Sequence, residues 1–154
     1  MRNNFCWWML FLVGWFSALP AAAQGEEPLL NVFVKGGQIE QVSAALIKAI
    51  GSNNYAYVRQ QTIDRGLVPT DWDVQSVRII YFCNFDMMQR ALALDTRVTS
   101  FLPCRITLIE TARGVDLMAV NPAWVSTRLG NYRLHEYCVK MKRDYLTIMR
   151  EVAL

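Results

Sequence analysis

Pro103-Cys104-Arg105-Ile106-Thr107-Leu108-Ile109, then Arg113-Gly114, then Val115-Asp116-Leu117-Met118-Ala119-Val120 read together as a strand, a reversal and a returning strand. Two strands joined by a tight turn pair antiparallel, and Asn121-Pro122 terminates the second. Upstream, every position from Val77 to Phe82 except Arg78 is apolar or aromatic, as in a largely buried strand, and Cys83 closes it. Asn84 or Asp86 can cap the helix that follows, whose apolar positions are Met87, Met88, Ala91, Leu92 and Leu94 and which ends near Asp95.

Toward the start, Leu30 to Val34 forms a short strand released by Gly36-Gly37. Ile39, Val42, Leu46, Ala49 and Ile50 then share one helical stripe over 38–50, with Gly51 at the stopping position. Tyr55 to Val58 restarts an extended segment. Residues 60–76 carry no clear period and are expected to form a long connection. Toward the end, Leu134, Cys138, Met141, Tyr145, Ile148 and Val152 step by three and four, which predicts a final amphipathic helix. The order is β-α-β-β-α-β-β-α. Paired strands with helices between them indicate an α+β fold, an antiparallel sheet with helices on one face, rather than a doubly wound one.

Residues 1–23 have the form of a secretory leader. Arg2 gives the positive start, Phe5 to Leu19 an uncharged apolar run, and Ala21-Ala22-Ala23 a small-residue cleavage site. The run is shorter than the roughly 20 residues of a spanning helix, and Pro20 breaks it, so a retained anchor is the weaker reading. Cys6 lies inside the run with no lipobox before it, which argues against a lipoprotein. The expected mature chain starts at Gln24, with a flexible 24–29 and one domain over 30–154, free in the periplasm and without a membrane span.

The whole chain carries 16 Lys and Arg against 13 Asp and Glu; losing Arg2 with the leader leaves 15 against 13, or +2. The densest basic cluster, Lys140, Lys142 and Arg143, reads as a solvated helix face, and nothing suggests a nucleic-acid partner. Leader removal takes Cys6 and leaves Cys83, Cys104 and Cys138. An odd count in an exported protein allows at most one internal disulfide with a thiol left over, or thiols kept for metal, haem or intermolecular pairing. Cys138 lies on the apolar stripe of the last helix and reads first as a small buried hydrophobe. His135 is at the edge of that stripe.

Tyr81-Phe82-Cys83-Asn84, then a helix, then Phe101-Leu102-Pro103-Cys104-Arg105-Ile106, and Asn121-Pro122 before a final amphipathic helix, resemble the domain of unknown function 302 family over roughly Asn31 to Val152. Leu102-Pro103-Cys104 is the most specific piece. The resemblance implies a small α+β domain with an antiparallel sheet, often a homodimer, and brings no established activity. Cys83 is less widely expected in the family than the Leu-Pro-Cys cysteine, and 60–76 is an individual elaboration.

A Cys83–Cys104 disulfide needs Cα atoms within about 7 Å. A parallel crossover would set the two about 20 Å apart, at opposite sheet edges. The antiparallel arrangement that the resemblance implies brings both to one edge, Cys138 lying buried apart from them. For a metal, Cys83, Cys104, Cys138 and His135 number enough for tetrahedral zinc, but no Cys-x-x-Cys knuckle exists. Copper could take Cys83, Cys104, Met87 or Met88, although both methionines also fit their helix's core stripe. Covalent haem is excluded by the lack of Cys-x-x-Cys-His, whereas noncovalent haem through Cys104 or His135 stays open. The leading expectation is a periplasmic binding or accessory domain of unknown ligand. Its edge of Cys83, Asn84, Cys104 and Arg105 would hold a small ligand, a redox-labile disulfide or a protein partner. The alternatives are a cysteine-dependent enzyme or thiol redox protein using Cys104 with Arg105 and His135, and a structural dimer or interaction module. No local catalytic signature supports the enzyme.

Overall fold

The computed structural model describes residues 25–154. The expected leader, its cleavage after Ala23, and Gln24 lie outside the described residues. The chain runs β1 (Leu29–Lys35), α1 (Ile39–Ser52), β2 (Ala56–Ile63), β3 (Ser76–Cys83), α2 (Phe85–Leu94), β4 (Cys104–Thr111), β5 (Gly114–Val120), α3 (Pro122–Leu129) and α4 (Tyr132–Ala153). Short 3-10 turns at Arg65–Leu67 and Thr96–Phe101 punctuate the connections. The five strands form one sheet in the order β1-β5-β4-β3-β2. Every neighbouring pair is antiparallel.

Alternation along the strands divides the sheet into two unlike faces. Inward go Leu30, Ile80, Phe82, Ile106, Leu108, Val115 and Leu117, all buried, and they meet Leu46 and Ile50 of α1 and Tyr145, Ile148 and Met149 of α4 in one cluster. Outward go Phe33, Ile79, Tyr81, Ile109 and Met118, which belong to neither of the molecule's two hydrophobic clusters. The helices therefore lie on one face, as the pattern of paired strands anticipates. A second, smaller cluster of Ala91, Val98, Leu134 and Cys138 joins α2, the 3-10 turn after it and the start of α4 beyond the end of the sheet.

Several local choices fix this arrangement. The β4–β5 reversal needs Gly114, whose φ is +144°, in a place where a Cβ would run into the backbone of Val34 in β1 and of Gly36 just beyond it. Glu110 on β4 accepts a hydrogen bond at 2.9 Å from the backbone N–H of Ile39, so the first turn of α1, which has no side-chain cap of its own, is tied to the sheet. Asn84 caps α2 through the Met87 N–H, and Asn131 caps α4 through the Leu134 N–H.

Three expectations need correction. The connection over 60–76 is shorter than the sequence suggests, because β2 continues to Ile63. That strand is exposed at all but one position as an outer edge of the sheet, so no buried face imposes an apolar alternation on it. Asn121-Pro122 does end β5 but also starts α3, with Asn121 as its cap and Pro122 in its first turn, where the missing N–H costs nothing. The stretch 24–29 is not left loose where it is described. Fully buried Asn121 donates from its amide to Glu26 and to the Glu27 carbonyl, Lys142 pairs with Glu26, and β1 already begins at Leu29.

Ile148 is fully buried between α4 and the sheet. Ile148→Ala should lower the unfolding free energy by about 2 to 5 kcal/mol through lost transfer energy plus a residual cavity. Guanidinium unfolding reads this as a fall in midpoint at unchanged slope. A loss below about 0.5 kcal/mol, the range of ordinary surface substitutions, would show that α4 does not close the core.

Candidate functional site

The seam between the two hydrophobic clusters leaves a cavity of about 80 Å³. That is room for a few non-hydrogen atoms, several times the minimum for one water. Its walls come from Met87, Met88 and Ala91 on α2, Val98, Phe101 and Leu102 before β4, Cys104 at the start of β4, Pro122 and Val125 on α3, and Leu134, Cys138, Met141 and Tyr145 on α4, with Tyr55, Asn84, Arg105 and Val120 completing the rim. Of the five methionines beyond residue 24 three line it, and so do two of the three cysteines. The third, Cys83, touches it indirectly, its Sγ lying 3.7 Å from the Sδ of Met88.

Register explains where the thiols fall. Cys104 stands opposite Phe82 in the β3–β4 ladder, so Cys83 is one residue past the pair, at the same sheet edge. Ladder spacing puts their Cα atoms roughly 6 Å apart, inside disulfide range. Both thiols are free nonetheless. An offset of one residue sends successive side chains of a pleated strand to opposite sides, which turns the two Cβ vectors apart. The expected grouping changes accordingly: Cys104 shares its cavity with Cys138, which is not set apart, rather than with Cys83.

Electrostatics keeps all three thiols protonated. Burial pushes the Cys104 thiol from 9.0 up to about 11, partly offset by a hydrogen bond with Tyr145. Burial likewise raises Cys83 and Cys138, the latter partly offset by a hydrogen bond with Ser126. The Tyr145 phenol is raised well above its ordinary value by burial and by the neighbouring Cys104. Tyr55 is raised by burial first and then by Asp144, whose carboxylate accepts its hydroxyl at 3.0 Å, and the same hydroxyl lies 3.6 Å from the Sδ of Met87. A buried thiol held neutral is a poor nucleophile.

The remaining candidates disperse. Arg105 is exposed and pairs in the ladder with Tyr81 on the outward face, so it reaches the cavity rim and not the Cys104 thiol. Asn84 lines the cavity but spends its side chain on capping α2 and on donating to the Asn54 carbonyl. His135 stands outside the lining. Its Nδ1 is 2.9 Å from Ser126 Oγ, which also lies 2.8 Å from the Ala123 carbonyl, so the imidazole is engaged by α3. Among the described residues no three His, Cys, Asp or Glu side chains form a metal-holding group, so the zinc set of Cys83, Cys104, Cys138 and His135 is not assembled. Haem through Cys104 or His135 does not fit a cavity of about 80 Å³, since cofactor-sized pockets run to about 300–1,000 Å³. Met141, Tyr55 and Tyr145 are the site residues that sequence reasoning missed. Met141 and Tyr145 share a stripe with Cys138, and the sulfur content of that stripe was the available signal.

The family profile described as "Domain of unknown function DUF302" matches residues 31–152. The chain belongs to this family. A crystal structure of an uncharacterized conserved DUF302 protein from Bacillus stearothermophilus superposes with a TM-score of 0.72 at 16% identity, covering 82% of this chain and 99% of that one. At that identity the likeness shows the shared fold. No curated protein matches the chain significantly.

Because the folded state favours the neutral Cys104 thiol, its contribution to stability is complete below pH 9 and is lost as the pH climbs from 9.0 toward about 11. The loss amounts to about 3 kcal/mol at most, and the raised tyrosines add to it in the same direction. Melting temperature should fall steeply over that window, and more gently in Cys104→Ser. Identical slopes would mean that the thiol is solvated in the native state.

Proposed function

We propose that this DUF302 chain is an exported, periplasmic binding domain whose small ligand occupies the sulfur-lined cavity between the two hydrophobic clusters. The observation that carries the reading is the cavity's composition. Five cavity side chains, Met87, Met88, Met141, Cys104 and Cys138, bring polarizable sulfur to an otherwise apolar wall, which Tyr55 and Tyr145 help to line. A concave, mostly apolar site with a few placed polar groups is the usual form of a small-molecule pocket. Export is supported by Arg2, the apolar run to Leu19 and Ala21-Ala22-Ala23. A thiol enzyme using Cys104 is less well supported, since a protonated buried thiol with Arg105 turned away lacks an activating group.

Native and denaturing mass spectrometry of the chain purified from the periplasmic fraction tests this reading. The expected polypeptide begins at Gln24 and carries an extra noncovalent mass that denaturation removes and that Ala91→Leu, which fills the cavity, lacks. A bare native mass, with Ala91→Leu more stable than wild type, would make the cavity an ordinary packing defect.

The outward sheet face favours a second reading alongside the first, a homodimer. At about 4.8 Å between strands and about 3.3 Å per residue, five strands present roughly 600 Å² in projection, which side-chain relief brings near the about 800 Å² per partner of stable association. Phe33, at 41% exposed, Ile79, Ile109 and Met118 give this face an apolar middle. Arg105 on β4 and Asp116 on β5 share it, so a two-fold copy can set each against the other. Sedimentation should find a dimer that Met118→Asp converts to a monomer with its melting temperature kept. A monomeric wild type at micromolar concentration would overturn it.

A further inference from the structure

A close sulfur–sulfur contact beside the cavity has the dimensions of a chelate. Two metal–sulfur bonds of about 2.3 Å meeting at a tetrahedral angle put their sulfurs about 3.8 Å apart. Cys83 Sγ and Met88 Sδ are 3.7 Å apart. We propose that Cys83 and Met88 chelate one Cu(I) ion at the edge of the sulfur-lined cavity. This deepens the ligand-binding reading and rests on it.

Three further observations support copper over other metals. A thioether is a ligand for soft ions and not for zinc, magnesium or calcium, and the described residues assemble no set of three or more His, Cys, Asp or Glu that would suit those ions. Charge balances as well: Cys83 Sγ–H gives its proton to solvent as the S–Cu bond forms, so one thiolate and one Cu(I) leave a neutral complex. No oxidation change is involved. A neutral complex is what an apolar site tolerates, because an isolated buried charge is expensive. Finally, Cys83 is buried and Met88 belongs to the cavity wall together with Met87, Met141, Cys104 and Cys138, so an ion held by the pair lies at the edge of a wall rich in soft donors. The backbone prepares the pair: Cys83 is fixed by its place at the end of β3, and Asn84, the next residue, caps α2 and so sets the first turn that carries Met88.

The test is an anaerobic titration of the full mature chain with Cu(I), in competition with the chromophoric chelator bathocuproine disulfonate. Wild type should take one Cu(I) per chain. Cys83→Ser should weaken binding by about 100-fold and Met88→Leu, which keeps the volume of the side chain, by about tenfold. Met149→Leu, in the main core cluster and away from the cavity wall, should stay close to wild type. Copper K-edge absorption should show a sulfur first shell that loses a neighbour in Met88→Leu. Should Cys83→Ser fail to fold, the Met88→Leu arm still decides. Wild-type affinity in Met88→Leu, or no stoichiometric Cu(I) in wild type, overturns the proposal. If copper fails while the native mass still carries a ligand that Ala91→Leu excludes, only the copper assignment falls; if that mass is absent too, the cavity reading falls with it.

Discussion

Phe82 packed edge-on between Tyr55 and Tyr145 is the contact on which the rest of the molecule depends. The ring centroids lie 5.5 and 5.2 Å from Phe82, and the two tyrosines are 6.3 Å from each other. This is the separation range in which aromatic edges and faces attract beyond their burial. The three rings come from β3, from the residue that precedes β2, and from α4, so a single contact locks sheet and helical layer together. It also builds the site. Tyr145 holds the Cys104 thiol, and the Tyr55 hydroxyl reaches both Asp144 on α4 and Met87 on α2. The polar tips satisfy their own hydrogen bonds while the rings close one side of the cavity.

Burial on one face accounts for what the sequence revealed. The cores of α1, β3, β4, β5 and α4 each press one side against the same cluster, and a one-sided element leaves a period of two or 3.6 in its residues. Where that pressure is absent the signal is absent. β2 is bare on nearly all its length and reads as connection after Val58, and α3 reads as a terminator because eight residues around Asn121-Pro122 hold too short a stripe to declare a helix. The site was legible in part, for a comparable reason. That Cys83 and Cys104 reach one sheet edge follows from antiparallel pairing alone, whereas which thiols share a cavity depends on a one-residue offset and on how α4 crosses the sheet. Neither is encoded in spacing.

The chemistry of the cavity follows from its position at a seam. A cluster interior of close-packed aliphatic side chains would leave no space, and an exposed groove would leave the thiols ionizable. At the junction of two clusters the packing is incomplete, and the wall is filled by methionine and cysteine, the side chains that adapt best to irregular gaps. The same burial that keeps Cys104 protonated removes it from nucleophilic work and leaves it suited to soft, reversible contact.

The helices around this seam are held unequally, and this sets which wall of the cavity is least firmly fixed. α1 buries six residues and α4 five, whereas α2 buries only Ala91. Elements with little buried apolar surface open at the lowest free-energy cost, below that of global unfolding. α2 is also the element that carries Met87 and Met88, so one of the two helices that each bring two sulfurs to the wall is the one that opens most cheaply. Its N-terminal end is anchored by the Asn84 cap, and at its other end the Leu94 carbonyl accepts from Asn131 before the 3-10 turn that leads to Cys104. Opening of α2 would expose the cavity while leaving the aromatic lock of Phe82, Tyr55 and Tyr145 in place, so access to the cavity and integrity of the core rest on different contacts.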